Sequence, residues 1–437
     1  MQYYTLNSIF VLRENKKGRY ILYNKIISKT YFITTKLYYM LKYFQNQSIS
    51  FLDLNKECET YKVDATDFYE LMAKDEFKNV LVPTKDKNKA VEYNIPNNLS
   101  PYTYVSPERV DLFITKHCNL ACRHCFEGSA PSFRIKRFTN REINRVVSQL
   151  ESANIKILKI TGGEPFSHPD INTFLKRVSQ CHFKTIILTN ALLLNSTQID
   201  LIKNNNMQLG ISLDGITAET YDYIRGKGTF NMLLPILQEI SYKGLIFSIT
   251  CTINKINLFQ TGALIDYVLD DLKAQSLLLG RLRPMGRANY NSNLVLSEEE
   301  NKYVRNIYFK KKEKYKDRLV LADDSTLKVK SESNIISCSA GNSIIALDEN
   351  FDVYPCIFGV GHPAYIMGNL LTQDLETIWG AEKWKIFRGG THLDDLRDCR
   401  KCKLSKECIM KNCRLKPVFE GNTFLDAISY CEKKTQG

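Results

Sequence analysis

Hydrophobic and polar residues alternate in the middle of this chain with two periods, one typical of strands and one typical of helices. Short apolar, β-branched runs mark six predicted strands, and amphipathic helical patterns of about 10–15 residues separate them. Such alternation predicts parallel β–α–β units. The predicted strands lie near Val110–Thr115, Ile155–Thr161, Thr185–Asn190, Gln208–Leu213, Ile246–Cys251 and Ser276–Gly280.

Six β–α units predict an α/β fold, a partial (β/α)6 TIM-like barrel over residues 107–285, with a doubly wound open sheet as the alternative. Residues with unusual chemistry follow the predicted strands. They are Cys118–Cys125, Gly162–Pro165, Asn190, Ser212, Asp214, Asn254, Arg281 and Arg283. In β/α barrels the carboxyl ends of the strands carry the active site. The pattern therefore places a candidate site at that rim.

The N-terminal residues 1–83 predict a separate winged-helix-like unit of three strands followed by three short helices. The strands lie near Ser8–Arg13, Arg19–Tyr23 and Lys29–Ile33, and the helices near Lys36–Tyr43, Ser50–Tyr61 and Ala65–Met72. Residues 84–106 begin with a polar stretch that lacks periodicity, which predicts a linker to the barrel.

Two further segments follow the barrel. Residues 286–335 form a bridging segment with one charged helix predicted near Ser297–Lys316, and Ser297 with Glu300 forms a capping box at its start. Residues 336–437 are rich in cysteine and in loop-forming residues, which predicts a small C-terminal domain that binds metal.

Composition limits the function classes. The 437 residues are 44% hydrophobic and 24% charged, and no apolar run is long enough to cross a bilayer. Because the N-terminus also lacks a signal-peptide pattern, we expect a cytoplasmic protein without a membrane partner. The formal charge of +13 favours an acidic or polyanionic partner, either an acidic peptide or nucleic acid.

The motif Cys118-x3-Cys122-x2-Cys125 follows the first barrel strand. Cysteine thiolates are the usual ligands of a 4Fe–4S cubane, and three of them leave one iron open for another ligand. Structural zinc is the alternative, but it needs four ligands and no fourth lies nearby in the sequence. A redox pair of Cys122 and Cys125 is a weaker alternative.

This cysteine motif, followed by Gly-Gly-Glu-Pro after the second strand, resembles the radical S-adenosylmethionine (radical SAM) superfamily. The resemblance implies that S-adenosylmethionine binds the open iron and is cleaved reductively to a 5′-deoxyadenosyl radical. It also implies residues that contact the cofactor. They are Gly162, Gly163, Glu164 and Pro165 at the methionine amino group, Ser212 and Asp214 at the ribose, Arg225 at the carboxylate, and Asn190 at the end of the third strand.

Seven further cysteines follow in the C-terminal hundred residues, in a pattern that resembles the SPASM extension of peptide-modifying radical SAM enzymes. They are Cys338, Cys356, Cys399, Cys402, Cys408, Cys413 and Cys431. The resemblance implies two auxiliary 4Fe–4S clusters, so three in all. It assigns Cys399, Cys402, Cys408 and Cys431 to an outer cluster and Cys338, Cys356 and Cys413 to an inner one. Zinc in one of these sites is the alternative.

Two positions depart from the SPASM pattern. Phe351 stands where the family usually has glycine, and four residues rather than three separate Cys408 from Cys413.

The N-terminal unit resembles the precursor-recognition domain of peptide maturases, in which a leader peptide pairs with the third strand by β-augmentation. A nucleic-acid-binding winged helix is the alternative for the same pattern.

Together these resemblances imply a maturase of a ribosomally synthesised precursor peptide, most similar to sactipeptide synthases, which join a cysteine sulfur to an α-carbon. An auxiliary cluster would accept the surplus electron, and a flavodoxin- or ferredoxin-type protein would supply the first one. Two alternatives stay open within the architecture: carbon–carbon or ether crosslinking, and side-chain oxidation as in sulfatase maturases. The latter resemble one another in an aspartate where this chain has Ile357. An iron–sulfur nucleic-acid-binding regulator is the alternative from another class.

We expect about twelve irons per chain after anaerobic reconstitution, because three cubanes hold four irons each. Replacing Cys118, Cys122 and Cys125 together by alanine should remove about four irons and abolish cofactor cleavage. Iron and zinc analysis of the two proteins checks both numbers. Zinc beside a single cubane would contradict the C-terminal assignment.

Overall fold

The computed structural model describes residues 3–7, 9–46, 49–50, 59, 68, 72–73, 77, 80–84, 104–322, 335–403, 405, 408–428 and 431. Strands and helices alternate through its middle. The strands are β1 (Tyr3–Leu6), β2 (Phe10–Lys16), β3 (Arg19–Asn24), β4 (Lys29–Ile33), β5 (Ile49–Ser50), β6 (Leu81–Thr84), β7 (Arg109–Phe113), β8 (Ile157–Thr161), β9 (Lys184–Thr189), β10 (Gln208–Ser212), β11 (Phe247–Ile253), β12 (Ser276–Arg281), β13 (Leu319–Leu321), β14 (Ile335–Ser337), β15 (Ile344–Leu347), β16 (Asp352–Tyr354), β17 (Gly368–Asn369) and β18 (Arg388–His392). The α-helices are α1 (Thr35–Asn46), α2 (Asn140–Ser152), α3 (Ile171–Val178), α4 (Ser196–Asn204), α5 (Ala218–Arg225), α6 (Thr229–Tyr242), α7 (Thr261–Asp266), α8 (Glu298–Tyr315), α9 (Leu375–Trp379) and α10 (Leu415–Phe419).

One large sheet forms the centre of the molecule. Strands β7 to β12 are neighbours in chain order and all run parallel, which confirms the six predicted β–α units. The sheet is wider than predicted, because β13 adds in parallel to β12 and β15 adds in parallel to β7. Strands β16 and β17 extend it in antiparallel fashion. These added strands are short, so their apolar periodicity is too brief to identify them.

The N-terminal unit contains the three predicted strands as the sheet β2-β3-β4, followed by α1 where the first helix is predicted. The sequence pattern missed β1, β5 and β6, which form a second small sheet in the order β5-β1-β6. The two helices predicted near Ser50–Tyr61 and Ala65–Met72 lie almost entirely outside the described residues, and Ser50 itself belongs to β5. Most of the predicted linker 84–106 also lies outside them.

A buried arginine fastens this unit to the barrel. Arg13 is only 1% exposed, and its guanidinium donates to the carbonyl oxygens of Ser106 (3.0 Å), Pro107 (3.1 Å) and Asn154 (3.2 Å). Ser106 and Pro107 lead into β7, while Asn154 precedes β8. The N-terminal unit therefore contacts the amino ends of the barrel strands, at the rim opposite the cysteine loop.

The bridging segment contains the predicted charged helix as α8. Its capping box is present: Ser297 Oγ accepts from the Glu300 amide at 3.2 Å, and the Glu300 carboxylate accepts from the Ser297 amide at 2.6 Å. Among the described residues, no helix is both long and apolar enough to cross a membrane.

Phe351, which stands where the SPASM pattern usually has glycine, adopts a left-handed backbone conformation. Its φ is +60° in the turn between β15 and β16, and its amide donates to the Asp348 carbonyl at 2.9 Å. The ring is completely buried and lies 4.9 Å, centroid to centroid, from that of Phe138. Left-handed backbone costs a non-glycine residue about 1–2 kcal/mol, whereas losing a buried phenylalanine costs about 3–5 kcal/mol. Packing therefore outweighs strain here.

Phe351→Gly should consequently destabilise the protein by roughly 2–3 kcal/mol, although it removes the strained conformation. Urea denaturation monitored by circular dichroism measures the shift, with Phe351→Leu as the control that keeps most of the apolar volume. A glycine variant at least as stable as the parent would show that strain dominates.

Candidate functional site

The cysteine loop leaves β7 at its carboxyl end and lies directly against the loop that follows β8. The Gly163 amide donates to the Thr115 carbonyl at 2.6 Å. A Cβ on Gly162 would stand 2.3 Å from the Thr115 carbonyl oxygen, and one on Gly163 would stand 1.9 Å from that of His117. Both glycines are thus required for backbone-to-backbone contact just ahead of Cys118.

Glu164 joins the loops after β8 and β9 from inside the protein. Its carboxylate is 1% exposed and accepts from Thr189 Oγ1 (2.7 Å), the Asn190 amide (2.8 Å) and the Phe166 amide (3.0 Å). Burial raises the pKa of Glu164, and these donors oppose the rise. Pro165 is buried beside it and begins a single helical turn. The side chain of this glutamate therefore holds the loop after β8 against the end of β9.

Asn190 connects the end of β9 to the cysteine loop. Its Nδ2 donates to Asn119 Oδ1 at 2.9 Å and lies 3.9 Å from Cys118 Sγ. The same sulfur accepts from the Leu120 amide at 3.4 Å. Burial raises the pKa of the Cys118 thiol to about 12, so this thiol is protonated at neutral pH until a metal binds it.

Asp214 is completely buried under the cysteine loop. Its Oδ2 accepts from Arg225 Nε at 2.6 Å and from His124 Nε2 at 2.8 Å, and its Oδ1 accepts from the Thr252 amide at 2.7 Å. Burial alone raises the pKa of Asp214, but the charge of Arg225 and then His124 hold it well below its usual range. This geometry favours a positioning role and leaves the half-buried Ser212 as the better ribose candidate.

Arg225 places a positive charge beside the motif. Its Nη1 lies 3.9 Å from Cys122 Sγ. Burial alone lowers the pKa of Arg225, but Asp214 and Cys122 raise it above its usual range, so the guanidinium stays charged. A buried cation beside a cysteine ligand is suited to an anionic cofactor carboxylate.

The sequence pattern missed Arg287, which holds the cysteine loop from the far side. Its Nε donates to the Cys122 carbonyl at 2.8 Å, and its two terminal nitrogens donate to the Gly128 and Ser129 carbonyls at 2.7 Å each. Gly286 precedes it with a φ of +57°, and a Cβ there would lie 2.1 Å from the carbonyl oxygen of Phe126. The adjacent Gly-Arg pair after the last predicted strand was the available signal.

The three cysteines predicted for the inner cluster lie together. Burial raises the pKa of Cys356, and the charges of Cys413 and Cys338 raise it further. Burial, and then the charge of Cys338, likewise raise the pKa of Cys413. A single helical turn, Ile409–Asn412, spans the four residues between Cys408 and Cys413 and thereby accommodates the longer spacing.

The four cysteines predicted for the outer cluster form a second group. Burial raises the pKa of Cys399, with Cys408, Cys431 and Cys402 contributing further rises through their charges. The structure therefore sorts the seven C-terminal cysteines into the same three and four that the resemblance implies. Their assignment as cluster ligands stays a prediction.

Arg414 lies between these two groups. It is 3% exposed, and its Nη1 donates to the carbonyls of Phe424 (3.3 Å) and Asp426 (3.0 Å). Burial lowers the pKa of Arg414, while Cys399 and then Cys413 oppose that shift. Cubanes ligated by thiolates are anionic, so a buried cation between the groups offsets their mutual repulsion.

In the described part of the chain, no three His, Cys, Asp or Glu side chains converge on a position for one metal ion. A cubane does not require such convergence, because its cysteines bind different irons. Three further cysteines lie outside both motifs. Cys251 is buried within β11, and Cys181 lies beside Arg177 after α3. Cys58 is outside the described residues.

Two family models match this chain. The model described as the radical SAM superfamily matches residues 112–267, and the model described as the SPASM iron–sulfur cluster-binding domain matches residues 338–403. Together they imply iron–sulfur clusters and S-adenosylmethionine binding, in agreement with the sequence prediction.

Three curated relatives share comparable identity. An AdoMet-dependent heme synthase of Methanosarcina barkeri is 24% identical over 75% of this chain and 96% of its own length. The mycofactocin maturase MftC of Mycobacterium ulcerans is 28% identical over 61% and 72%. The antilisterial bacteriocin subtilosin biosynthesis protein AlbA of Bacillus subtilis is 22% identical over 75% and 72%.

A solved structure has the same fold along nearly the whole chain. Streptococcus suis SuiB bound to the precursor peptide SuiA has a TM-score of 0.72 and 16% identity, with 99% of this chain and 100% of that chain covered. The similarity therefore includes the N-terminal unit as well as the barrel and the C-terminal region.

Arg287→Met should loosen the cysteine loop, because three partly buried carbonyls lose the hydrogen bonds from the guanidinium at once. We expect the reconstituted variant to lose the iron of this loop several-fold faster under a chelator, since an unsatisfied buried group costs about 1–3 kcal/mol. Absorbance decay at the cluster band measures the rate. Arg141→Met, at an exposed position of α2, is the matched control. Equal decay in both variants would contradict the role of Arg287.

Proposed function

Because this chain belongs to the radical SAM superfamily and carries a SPASM domain, we propose that it is a maturase that forms a thioether between a cysteine sulfur and a carbon of a ribosomally synthesised precursor peptide. The observation that carries the proposal is the division of the C-terminal cysteines into a group of four and a group of three beside a barrel with the radical SAM motif.

The residues at the carboxyl rim suit the cofactor. Cys118, Cys122 and Cys125 would hold the cubane, and the glycine pair sets the distance between that loop and the backbone after β8. Arg225 and Ser212 are available for the carboxylate and ribose of S-adenosylmethionine. When bound, these groups supply a 5′-deoxyadenosyl radical. The chain itself binds, orients and excludes water.

The overall reaction balances without oxygen. One hydrogen atom leaves the target carbon and ends in 5′-deoxyadenosine, one proton leaves the cysteine thiol, and a carbon–sulfur bond forms. One electron remains, and iron–sulfur centres of the SPASM type are suitable one-electron acceptors. The peptide product is therefore lighter by two hydrogens for each bond. A flavodoxin- or ferredoxin-type donor for the first electron stays a prediction.

The N-terminal unit supports a peptide substrate. Strand β4 is the edge of the sheet β2-β3-β4, and its second side has no partner strand among the described residues. Phe32 on that strand is 79% exposed. An open edge with an exposed aromatic is suited to β-augmentation by a leader peptide. The solved structure of SuiB with its precursor peptide has this architecture throughout.

Recognition and chemistry lie at opposite ends of the barrel. The N-terminal unit contacts the amino ends of β7 to β9, whereas the cysteine loop follows the carboxyl end of β7. A five-residue strand such as β7 spans about 17 Å, so at least about five extended residues must separate the leader from the modified residue.

Other activities fit part of the same observations. Carbon–carbon or ether crosslinking would use the same sites, and the M. barkeri relative acts in heme synthesis. A small-molecule substrate, however, would not pair with the open edge of β4, so that edge would stay unexplained. Nucleic-acid binding by a regulator would not require the glycine pair that positions the cysteine loop.

Mass spectrometry of a neighbouring cysteine-containing precursor, co-expressed with this protein, tests the proposal. We expect a loss of about two hydrogens per crosslink, resistance to thiol alkylation and an unchanged mass with the Cys118→Ala protein. Alanine in place of the peptide cysteine should abolish the mass loss. A mass loss that survives this replacement would indicate a carbon–carbon or ether bond instead.

The inner group has three cysteines for four irons. Cys251 and Cys181 contact barrel residues, since their sulfurs accept from Asn257 Nδ2 and Arg177 Nη1. The cysteines whose charges act on Cys356 are Cys413 and Cys338. We therefore infer that one iron of this cluster is left for an external ligand, and that a substrate thiolate is chemically suited to it.

Electron paramagnetic resonance checks this open position. The reduced protein carrying the Cys118→Ala, Cys122→Ala and Cys125→Ala replacements shows the auxiliary clusters alone. Its spectrum should change when the cysteine-containing peptide is added, and should not change with the serine analogue of that peptide. Identical spectra in the two cases would remove the open iron.

A further inference from the structure

A polar cavity of about 270 Å³ lies where the N-terminal unit meets the amino ends of β9 and β10. The residues that matter for its chemistry are Lys25, Cys181, His182, Lys184 and Asn205. This cavity is at the rim opposite the cysteine loop, so it does not belong to the radical site described above.

Two lysines give the cavity its character. Lys25 has no hydrogen bond or ion pair from its ammonium to any described residue, and burial lowers its pKa to about 8. Lys184 is 4% exposed and donates to Ser28 Oγ at 2.7 Å. Burial, and then the charge of Lys159, lower its pKa to about 8. Lys184 is thus a buried cation and Lys25 a partly buried one, and neither has an acidic partner among the described residues.

The neighbouring groups do not neutralise this charge. Burial raises the pKa of Cys181 to about 12 and lowers that of His182, so both are neutral at pH 7. The nearest acidic group acting on them is Glu151, which is paired with Arg177 at 3.3 Å. Among the described residues, no aspartate or glutamate lines the cavity.

A structural role as helix caps does not account for the lysines. Helices α3 and α4 end at the cavity, but protein donors already satisfy their last carbonyls. Ser179 and Met207 amides donate to the Leu175 and Ile202 carbonyls at 2.9 and 3.0 Å, and Asn205 Nδ2 donates to the Leu201 carbonyl at 2.8 Å. These carbonyls therefore do not need the lysines as donors, and both lysines line the cavity.

We propose that this cavity binds a side-chain carboxylate of the precursor's leader. The inference rests on the proposed function, because it takes the leader to be the peptide that pairs with β4. Lys25 and Ser28 lie in the turn that joins β3 to β4, so the cavity opens at the start of the recognition edge. An ion pair between the leader's carboxylate and these lysines at that point would fix the register of the peptide along β4.

Chemical footprinting tests the cavity without enzyme activity. The full-length protein is acetylated at pH 8 with a water-soluble acylating reagent, and peptide mass spectrometry follows the rate at each lysine. The probes are acetyl-tetraglutamate amide, its tetraglutamine analogue and inorganic phosphate, all at equal ionic strength. Exposed Lys17 in the β2–β3 turn is the internal control.

We expect tetraglutamate to slow acetylation of Lys25 and Lys184 saturably, by about sixfold at five times its dissociation constant, and to leave Lys17 unchanged. Tetraglutamine should have no effect. Protection by phosphate equal to or greater than that by tetraglutamate would show a free-anion site and overturn the carboxylate assignment. No protection by either anion would overturn the site itself.

Affinity for the labelled precursor peptide completes the test. Lys25→Met should weaken binding by about tenfold, as expected for a lost charge-assisted hydrogen bond, whereas Lys17→Met should not. Equal affinities would overturn the role in the leader. If tetraglutamate protects the lysines but the parent protein does not bind the precursor, the proposed function fails while the anion site stands, so the two failures are distinguishable.

Discussion

The contact of two backbones at the carboxyl rim is the constraint on which the rest of the site depends. Gly162 and Gly163 lie so close to the carbonyls of Thr115 and His117 that a Cβ at either position would overlap an oxygen atom. This contact fixes the start of the cysteine loop against the loop after β8. Glu164 and Asn190 connect this contact to the end of β9. The Glu164 carboxylate accepts from the Asn190 amide, and the Asn190 side chain donates to Asn119 in the cysteine loop.

At both cysteine sites, cations lie beside the buried anionic groups. Asp214 is ionised under the cysteine loop because Arg225 and His124 contact it, and Arg225 in turn reaches Cys122. In the C-terminal region Arg414 lies between the two cysteine groups, and Lys416 contributes a further positive charge at Cys338 and Cys413. Since thiolate-bound clusters are anionic, these cations reduce the electrostatic cost of placing two of them in one small domain.

The attachment of the N-terminal unit underlies the proposed separation of peptide recognition from radical chemistry. Arg13 binds carbonyls that precede β7 and β8, and Lys184 at the first residue of β9 reaches Ser28 in the N-terminal unit. These contacts hold the open edge of β4 at the amino end of the barrel. In the proposed function, a peptide held there would be anchored at a distance, and its reactive segment could enter the opposite rim while the leader stays bound.

The sequence by itself determined the six β–α units, the rim at which the candidate site residues lie and the two groups of clustered cysteines, because periodicity and spacing are local properties of the chain. It also indicated the capping box of α8 and the strands β2, β3 and β4 of the N-terminal unit. Only the tertiary structure decided which polar side chains are hydrogen-bonded within the protein, as Asp214 is to Arg225. It alone also showed that Arg287, far along the chain, supports the cysteine loop. Strands β13 and β15 were likewise beyond the pattern, because a strand of three or four residues is defined by the neighbour it pairs with and not by its own sequence.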